Sequence, residues 1–446
     1  MQFDWLWGYL MPIGLLLLVW GGLPPQRARR VTPLALFALA LTTLAYWAVG
    51  FAFHLGGAHV VAPQEAALEG LNRLLPLIPG SSDWGFVGLS GFALSGDGVT
   101  PTVLSLFLAY LPLVATAVLL VVLALAEEDG GWMVGASLLF ALLVWPVAAC
   151  WTWGGGFLAR LGQTLELGHG FVDFGGSALI LWLPASFLFA LLFWRERRPA
   201  TAEATLPPAH FPLLANAGAW LLGLGWMGWA LALPFHTYGA ALDWPRAALS
   251  MILASAGAVV TSQLYAYLVE GQIEPLLAAR GAVAGWGASL AAAPFLTPAM
   301  ALVTGLLAGL LFPLALYLVE EGLRLRDRSA GIALGLTGGL WGLLAVGLFA
   351  AGRWGAGWNG MATDAGAVGG LLGGDGGQLV AQLAGLVVLA LWGGLWGSLL
   401  GLAPRLWQRL RQPPASPQVE APPEAEAEPS PEAEEAHEAE EKEATA

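Results

Sequence analysis

PTVLSLFLAYLPLVATAVLLVVLALA, from Pro101 to Ala126, contains no charged side chain. A helix of about 20 apolar residues crosses the hydrocarbon core of a bilayer. Lipid offers no hydrogen bonds, so such a segment must satisfy its backbone internally and reads as a transmembrane helix. Working outward, similar runs occupy residues 5–23, 31–53, 132–151, 173–193, 211–235, 247–269, 281–296, 298–318, 331–351 and 378–402. With 101–126 they make eleven expected spans of an all-α integral membrane protein, the eighth and ninth forming a tight antiparallel pair. The whole chain agrees: over 446 residues it is 57% hydrophobic and 11% charged, with mean hydropathy +0.69, which excludes an ordinary soluble protein. Residues 1–23 lack the basic start of a signal peptide and read as the first span.

Charge is unevenly placed. The net charge is -13, but residues 413–446 hold eleven Glu and one Lys, so about -3 remains for the first 412 residues. We read 1–412 as a transmembrane domain and 413–446 as a disordered acidic Pro/Ala/Glu-rich cytoplasmic tail, a solvated spacer by default, with a docking peptide for a cytoplasmic partner as the alternative. A basic surface is missing, so nucleic acid is excluded as a partner. Cys150 is the single cysteine, which rules out an internal disulfide or a cysteine metal cluster within one chain.

Arginines test the helix count, because short loops rich in Lys and Arg stay on the cytoplasmic side. With the N-terminus outside and the C-terminus inside, the inner loops and tail receive thirteen arginines, among them Arg27, Arg195, Arg280, Arg324 and Arg405. The outer loops receive Arg73, Arg160, Arg246 and Arg353. The bias supports eleven spans and a multi-pass plasma-membrane protein. In the longest outer loop, residues 64–77 read as an amphipathic piece lying at the interface or capping the outer face.

Ionisable groups at membrane depth are costly and mark functional candidates. Asp173, in Val172-Asp173-Phe174-Gly175-Gly176-Ser177, reads as an N-cap of the fifth span, with a negative end to an outer vestibule as the functional alternative. The 60 glycines point to close helix packing. Trp153, Trp226, Trp229, Trp286 and Trp341 are candidates to face the interior. All six histidines fall in loops, at helix ends or in the tail, and His169 and His236 read as solvated or capping residues. No catalytic grouping, zinc-type spacing or phosphate loop is evident, so neither an enzyme nor a cofactor or metal site is expected.

Several stretches together resemble the ammonium transporter, methylammonium permease and Rhesus protein family. They are Met11-Pro12-Ile13-Gly14, Trp153-Gly154-Gly155-Gly156, Asp173-Phe174-Gly175-Gly176, Gly225-Trp226-Met227-Gly228-Trp229 and Gly281-Ala282-Val283-Ala284-Gly285. Gly338-Gly339-Leu340-Trp341-Gly342 and Gly376-Gly377-Gln378-Leu379 follow in the same order. The resemblance implies two inverted five-helix repeats plus a final helix, and a homotrimer in the lipid bilayer with one pore per subunit. It also implies a pore with two hydrogen-bonded histidines, but the matching positions here are Leu181 and Gly335. The family's phenylalanine gate falls on Trp229 and Leu113, and the serine of its outer cation site on Leu233, while the tryptophan of that site is Trp153 and the aspartate Asp173.

Without ring nitrogens an ammonium ion would shed water with no replacement partners, at several kcal/mol or more. The expected function is therefore an ammonium-transporter-like channel passing ammonia or another small neutral solute without a histidine relay. The alternative is a non-conducting pseudo-transporter, a sensor or structural subunit of a membrane assembly. After the last span, Arg405-Leu406-Trp407-Gln408-Arg409-Leu410-Arg411 reads as a membrane-surface helix.

Overall fold

A computed structural model describes residues 4–411 except 82–83, 97, 127, 129, 196–208, 233–234 and 238. The chain divides into two units, Met1–Leu402 and Ala403–Ala446. The acidic tail lies outside the described residues, and in the second unit the backbone is helical to Arg411.

Each stretch expected to span contains a helix among its described residues, although 173–176, 291–296 and 350–351 are not helical. Eight helices among the described residues are long and apolar enough to cross a membrane: Trp5–Gly22, Pro25–Val61, Pro101–Ala124, Gly130–Thr152, Trp244–Glu270, Pro298–Gly322, Gly331–Phe349 and Gly376–Pro404. Ala178–Phe193 is a shorter apolar helix, and Pro212–Leu231 and Pro275–Leu290 are helical as well.

Helix starts follow from local chemistry. Proline opens several of them, because its missing N–H is one the first turn cannot use. Thr100, Asp243 and Thr297 cap the helices after them, their side-chain oxygens accepting from the N–H of Val103 at 3.3 Å, Arg246 at 3.2 Å and Met300 at 3.3 Å. The eighth helix starts at Pro275, six residues before the expected Gly281, because Glu274 caps it by accepting from Leu276 and Leu277.

Small residues hold the bundle together. A Cβ on Gly14 would lie 2.2 Å from the Leu222 nitrogen, and one on Gly305 only 2.0 Å from the Ala254 carbonyl oxygen. The first helix thus packs on Pro212–Leu231, and Pro298–Tyr317 on Trp244–Glu270, backbone against backbone. In lipid, dispersion contacts of this kind replace the hydrophobic driving force between helices. Outward faces carry Leu213, Trp220, Val260, Leu268 and Leu391, all exposed, as expected for side chains meeting acyl chains.

The fifth and tenth expected spans each contain a π-helical segment, Ala178–Trp182 and Gly335–Leu340, and these two segments pack on each other. A π segment shifts the side chains after it around the helix and often marks a functional position.

The 64–77 region departs from expectation. It is not one amphipathic element but a 3-10 turn, Ala66–Leu68, followed by strand β1, Leu74–Pro76, paired antiparallel with β2, Gly85–Gly88. Gly70 lies backbone against backbone on Gly98, where a Cβ would come within 2.5 Å, and Pro76 cannot donate to a helical ladder. β2 is tied to the bundle where the Trp151 Nε1–H donates to the Phe86 carbonyl at 2.8 Å.

Candidate functional site

At the end of the bundle that bears the hairpin, five helical stretches deliver aromatic and imidazole rings to one buried cluster. Trp153 follows the helix Trp145–Thr152, and its Nε1–H donates to the Asp173 carbonyl at 2.9 Å. Around it stand Trp229 at a centroid distance of 6.0 Å, Tyr110 at 5.7 Å, Trp145 at 6.4 Å and His54 at 6.3 Å. The nearest ring is His236, stacked on the Trp153 indole with centroids 4.4 Å apart and planes 11° apart.

Hydrogen bonds fix these rings. The Trp229 Nε1–H donates to the Ala109 carbonyl at 2.7 Å, and that of Trp226 to Gly175 at 2.7 Å. His236 Nε2 lies 2.7 Å from the Phe174 carbonyl, and its Nδ1 lies 2.9 Å from the Tyr110 hydroxyl. A carbonyl only accepts, so Nε2 carries the proton and Nδ1 accepts from Tyr110. Burial pushes the His236 imidazole down to about 3, against a smaller upward pull from the Phe174 hydrogen bond, so the ring is neutral at physiological pH. His54 pairs with the Tyr46 hydroxyl through Nδ1 at 2.9 Å, while its Nε2 and the Trp145 Nε1 are buried without a partner.

Asp173 sits at the edge of the cluster and is 1% exposed. One carboxylate oxygen accepts from the Ala178 N–H at 3.1 Å, at the start of the π segment, and the other is buried without a hydrogen bond. The side chain is thus enclosed, and it offers no open negative surface.

Deeper in the bundle, Leu181 and Gly335 are brought together. The Leu181 Cδ1 fills the notch made by two glycines, since a Cβ on Gly287 would lie 2.3 Å from it and one on Gly338 2.6 Å. A Cβ on Gly335 would lie 2.0 Å from the Ala185 Cβ and 2.9 Å from the Leu181 carbonyl oxygen. Leucine and bare backbone therefore fill the place where the resemblance puts two imidazoles.

The other expected positions divide. Trp153, Trp229 and Asp173 belong to the ring cluster. Leu113 is buried on the third helix, but the ring beside Trp153 and Trp229 is that of Tyr110, three residues earlier. Leu233 lies outside the described residues.

His236, Tyr110 and His54 are the residues that sequence reasoning missed. His236 and His169 are 7% and 3% exposed, so neither is the solvated residue expected from its position; turns of the chain that fold back into the bundle bury them. Tyr110 did leave a signal: a hydroxyl inside an apolar span must find a partner. No group of three or more His, Cys, Asp or Glu is arranged to hold a metal among the described residues. A cleft of about 820 Å³ lined by Trp182, Phe189, Leu323 and Leu391 shares no residue with the ring cluster.

The fold and the cluster define an all-α multi-pass membrane protein that buries a set of aromatic and imidazole rings at one end of its bundle. The Ammonium Transporter Family model matches residues 6–422, and the chain belongs to that family. It is 27% identical to ammonium transporter Amt2 of Archaeoglobus fulgidus over 371 residues, 80% of this chain and 71% of that protein. An ammonium transporter of Bacillus subtilis is 26% identical over 286 residues, 62% of this chain and 66% of the relative.

Among solved structures, Candida albicans Mep2 superposes with a TM-score of 0.72 at 22% identity, covering 92% of this chain and 86% of that one. A structure named Sensor Amt Protein gives 0.72 at 22%, covering 91% and 94%. At such identity these likenesses speak for the fold.

Proposed function

We propose that the chain is an ammonium-transporter-like channel that passes ammonia or a comparably small neutral solute and carries no histidine relay. The carrying observation is Leu181 seated against Gly287 and Gly338 with Gly335 pressed on Ala185: at that level the path offers methyl groups and backbone, with no ring nitrogen to take or return a proton. An ion entering there would lose its hydration uncompensated, at several kcal/mol or more, whereas a neutral molecule loses far less. Family membership supports ammonia or ammonium as the solute. The proposal includes eleven spans in two inverted repeats plus a last helix, a homotrimer, an outside N-terminus with a cytoplasmic C-terminus in the plasma membrane, and an acidic tail free to meet a cytoplasmic partner.

One observation favours a second reading, a non-conducting sensor or structural subunit: Leu181, Trp229 and Trp153 are each at most 3% exposed, so the path is filled at more than one level. Liposomes holding the purified protein and a pH dye, given an ammonium jump while current is recorded, separate the readings. Alkalinisation without current is expected. Current above empty liposomes refutes the neutral-solute reading, and silence from folded protein transfers the weight to the sensor or structural subunit.

A further inference from the structure

The stacked His236 ring raises a question of occupancy, because it lies where a ligand of the Trp153 indole would lie. An indole face attracts cations within about 6 Å of its centroid, and His236 covers that face at 4.4 Å with nearly parallel planes. Its two nitrogens meet the Phe174 carbonyl at 2.7 Å and the Tyr110 hydroxyl at 2.9 Å. Tyr110 also accepts from the His236 backbone N–H at 3.4 Å. Remove the imidazole, and an indole face, a carbonyl oxygen and a hydroxyl oxygen line the hole it leaves. All belong to residues at most 3% exposed. Those groups suit a small cation bearing N–H bonds, with room for one accompanying water in the volume of a five-membered ring.

We infer that His236 is a built-in plug, a tethered neutral ring filling a receptor for small N–H cations made by Trp153, Phe174 and Tyr110, and that it makes this end of the path refuse cations. The inference deepens the neutral-solute reading by naming the residue that turns the charged form away. It is distinct from the Leu181 and Gly335 filling, which acts deeper in the bundle. His236 excludes the ion by occupation: a neutral imidazole donates to the Phe174 carbonyl and accepts from the Tyr110 hydroxyl, with no charge to desolvate.

The test is binding, measured apart from conduction. Full-length protein in detergent is titrated calorimetrically with ammonium chloride, methylammonium chloride and tetramethylammonium chloride. The wild type is expected to show no saturable heat. H236A is expected to bind ammonium and methylammonium at least tenfold more tightly than the wild type, with tetramethylammonium, which has no N–H, excluded from the gain. Free imidazole should compete, and adding W153L should abolish the gain. Equal binding by wild type and H236A, or a folded H236A with no gain, overturns the inference. If H236A does not fold, H236G is purified in imidazole, which refills the hole, then dialysed and titrated; failure of imidazole to restore a folded H236G also overturns it. Ammonia entry into liposomes is a separate readout, so the channel reading and the plug can fail independently.

Discussion

Gly335→Ala is the sharpest single perturbation of the packing between Gly335, Ala185 and Leu181. The added Cβ would stand 2.0 Å from the Ala185 Cβ and 2.9 Å from the Leu181 carbonyl oxygen, where ordinary carbon–carbon contacts are about 3.5–4.0 Å. The helices carrying Gly335 and Ala185 must then separate by roughly 1.5–2 Å, or the π segment must distort, and overpacking of this kind costs about 1–3 kcal/mol. Ala185→Gly removes the closer clash, the methyl at 2.0 Å, and leaves the Leu181 carbonyl oxygen at 2.9 Å and the Ala185 Cα at 3.5 Å, so relief is partial; alone it costs about 0.5–1 kcal/mol as a helix glycine. The double variant should therefore be more stable than the sum of the singles by at least about 1 kcal/mol. Denaturant titration of all four proteins in mixed micelles, followed by circular dichroism, measures that coupling. Additive losses, or a G335A protein as stable as the wild type, refute the packing argument. A histidine at 335 carries the same Cβ, so an imidazole pair made by L181H and G335H needs A185G to relieve the closest contact, and the helix must still yield at the Leu181 carbonyl.

Other consequences follow from the same contacts. Leu181→Ala empties the notch beside Gly287 and Gly338 and should cost about 2–5 kcal/mol; if the path runs there, ammonia entry measured by a liposomal pH dye should rise, and unchanged entry with unchanged stability counts against it. Asp173→Ala strips the Ala178 N–H of its acceptor and should cost about 0.5–2 kcal/mol of cap energy, whereas Asp173→Asn retains an oxygen and should lose less; equal thermal destabilisation of the two would exclude the cap. His236, held at about 3 when folded against about 6.5 when unfolded, leaves the unfolded chain binding more protons between those values. Stability from this group is therefore complete above pH 6.5 and lost as pH falls toward 3, with a slope of up to about 1.4 kcal/mol per pH unit. H236F should remove that slope while keeping a stacked ring, and an unchanged slope would assign the acid sensitivity elsewhere.

Much of the molecule is legible in its sequence because lipid is an unforgiving solvent. Residues 101–126 must be helical, since no other backbone arrangement satisfies every donor and acceptor in hydrocarbon, and the structure forms Pro101–Ala124 there. Small residues such as Gly14, Gly305 and Gly309 announce close helix contact for the same kind of reason. The ordered spread of Trp153, Asp173, Trp229 and the later glycine motifs pointed to the family that the match over residues 6–422 then showed.

What stayed hidden depends on where chain ends and loops return in space. His54 and His236 are 182 positions apart, and nothing local in either indicates that Tyr110 lies between them, its ring 4.8 Å from His54 and its hydroxyl bonded to His236. An imidazole after a helix end looks the same in sequence whether it meets water or an indole. The 64–77 segment failed for a related reason: its alternating polarity suits an amphipathic element, but Gly70, Pro76 and the pairing partner at Gly85–Gly88 make a turn and a hairpin. Sequence alone determined that this chain lives in a membrane as packed helices, because solvation and backbone hydrogen bonding act residue by residue. Which side chain covers the Trp153 face, and what fills the space beside Gly335, were decided only by the tertiary structure, because contact distances belong to pairs of residues the sequence keeps far apart.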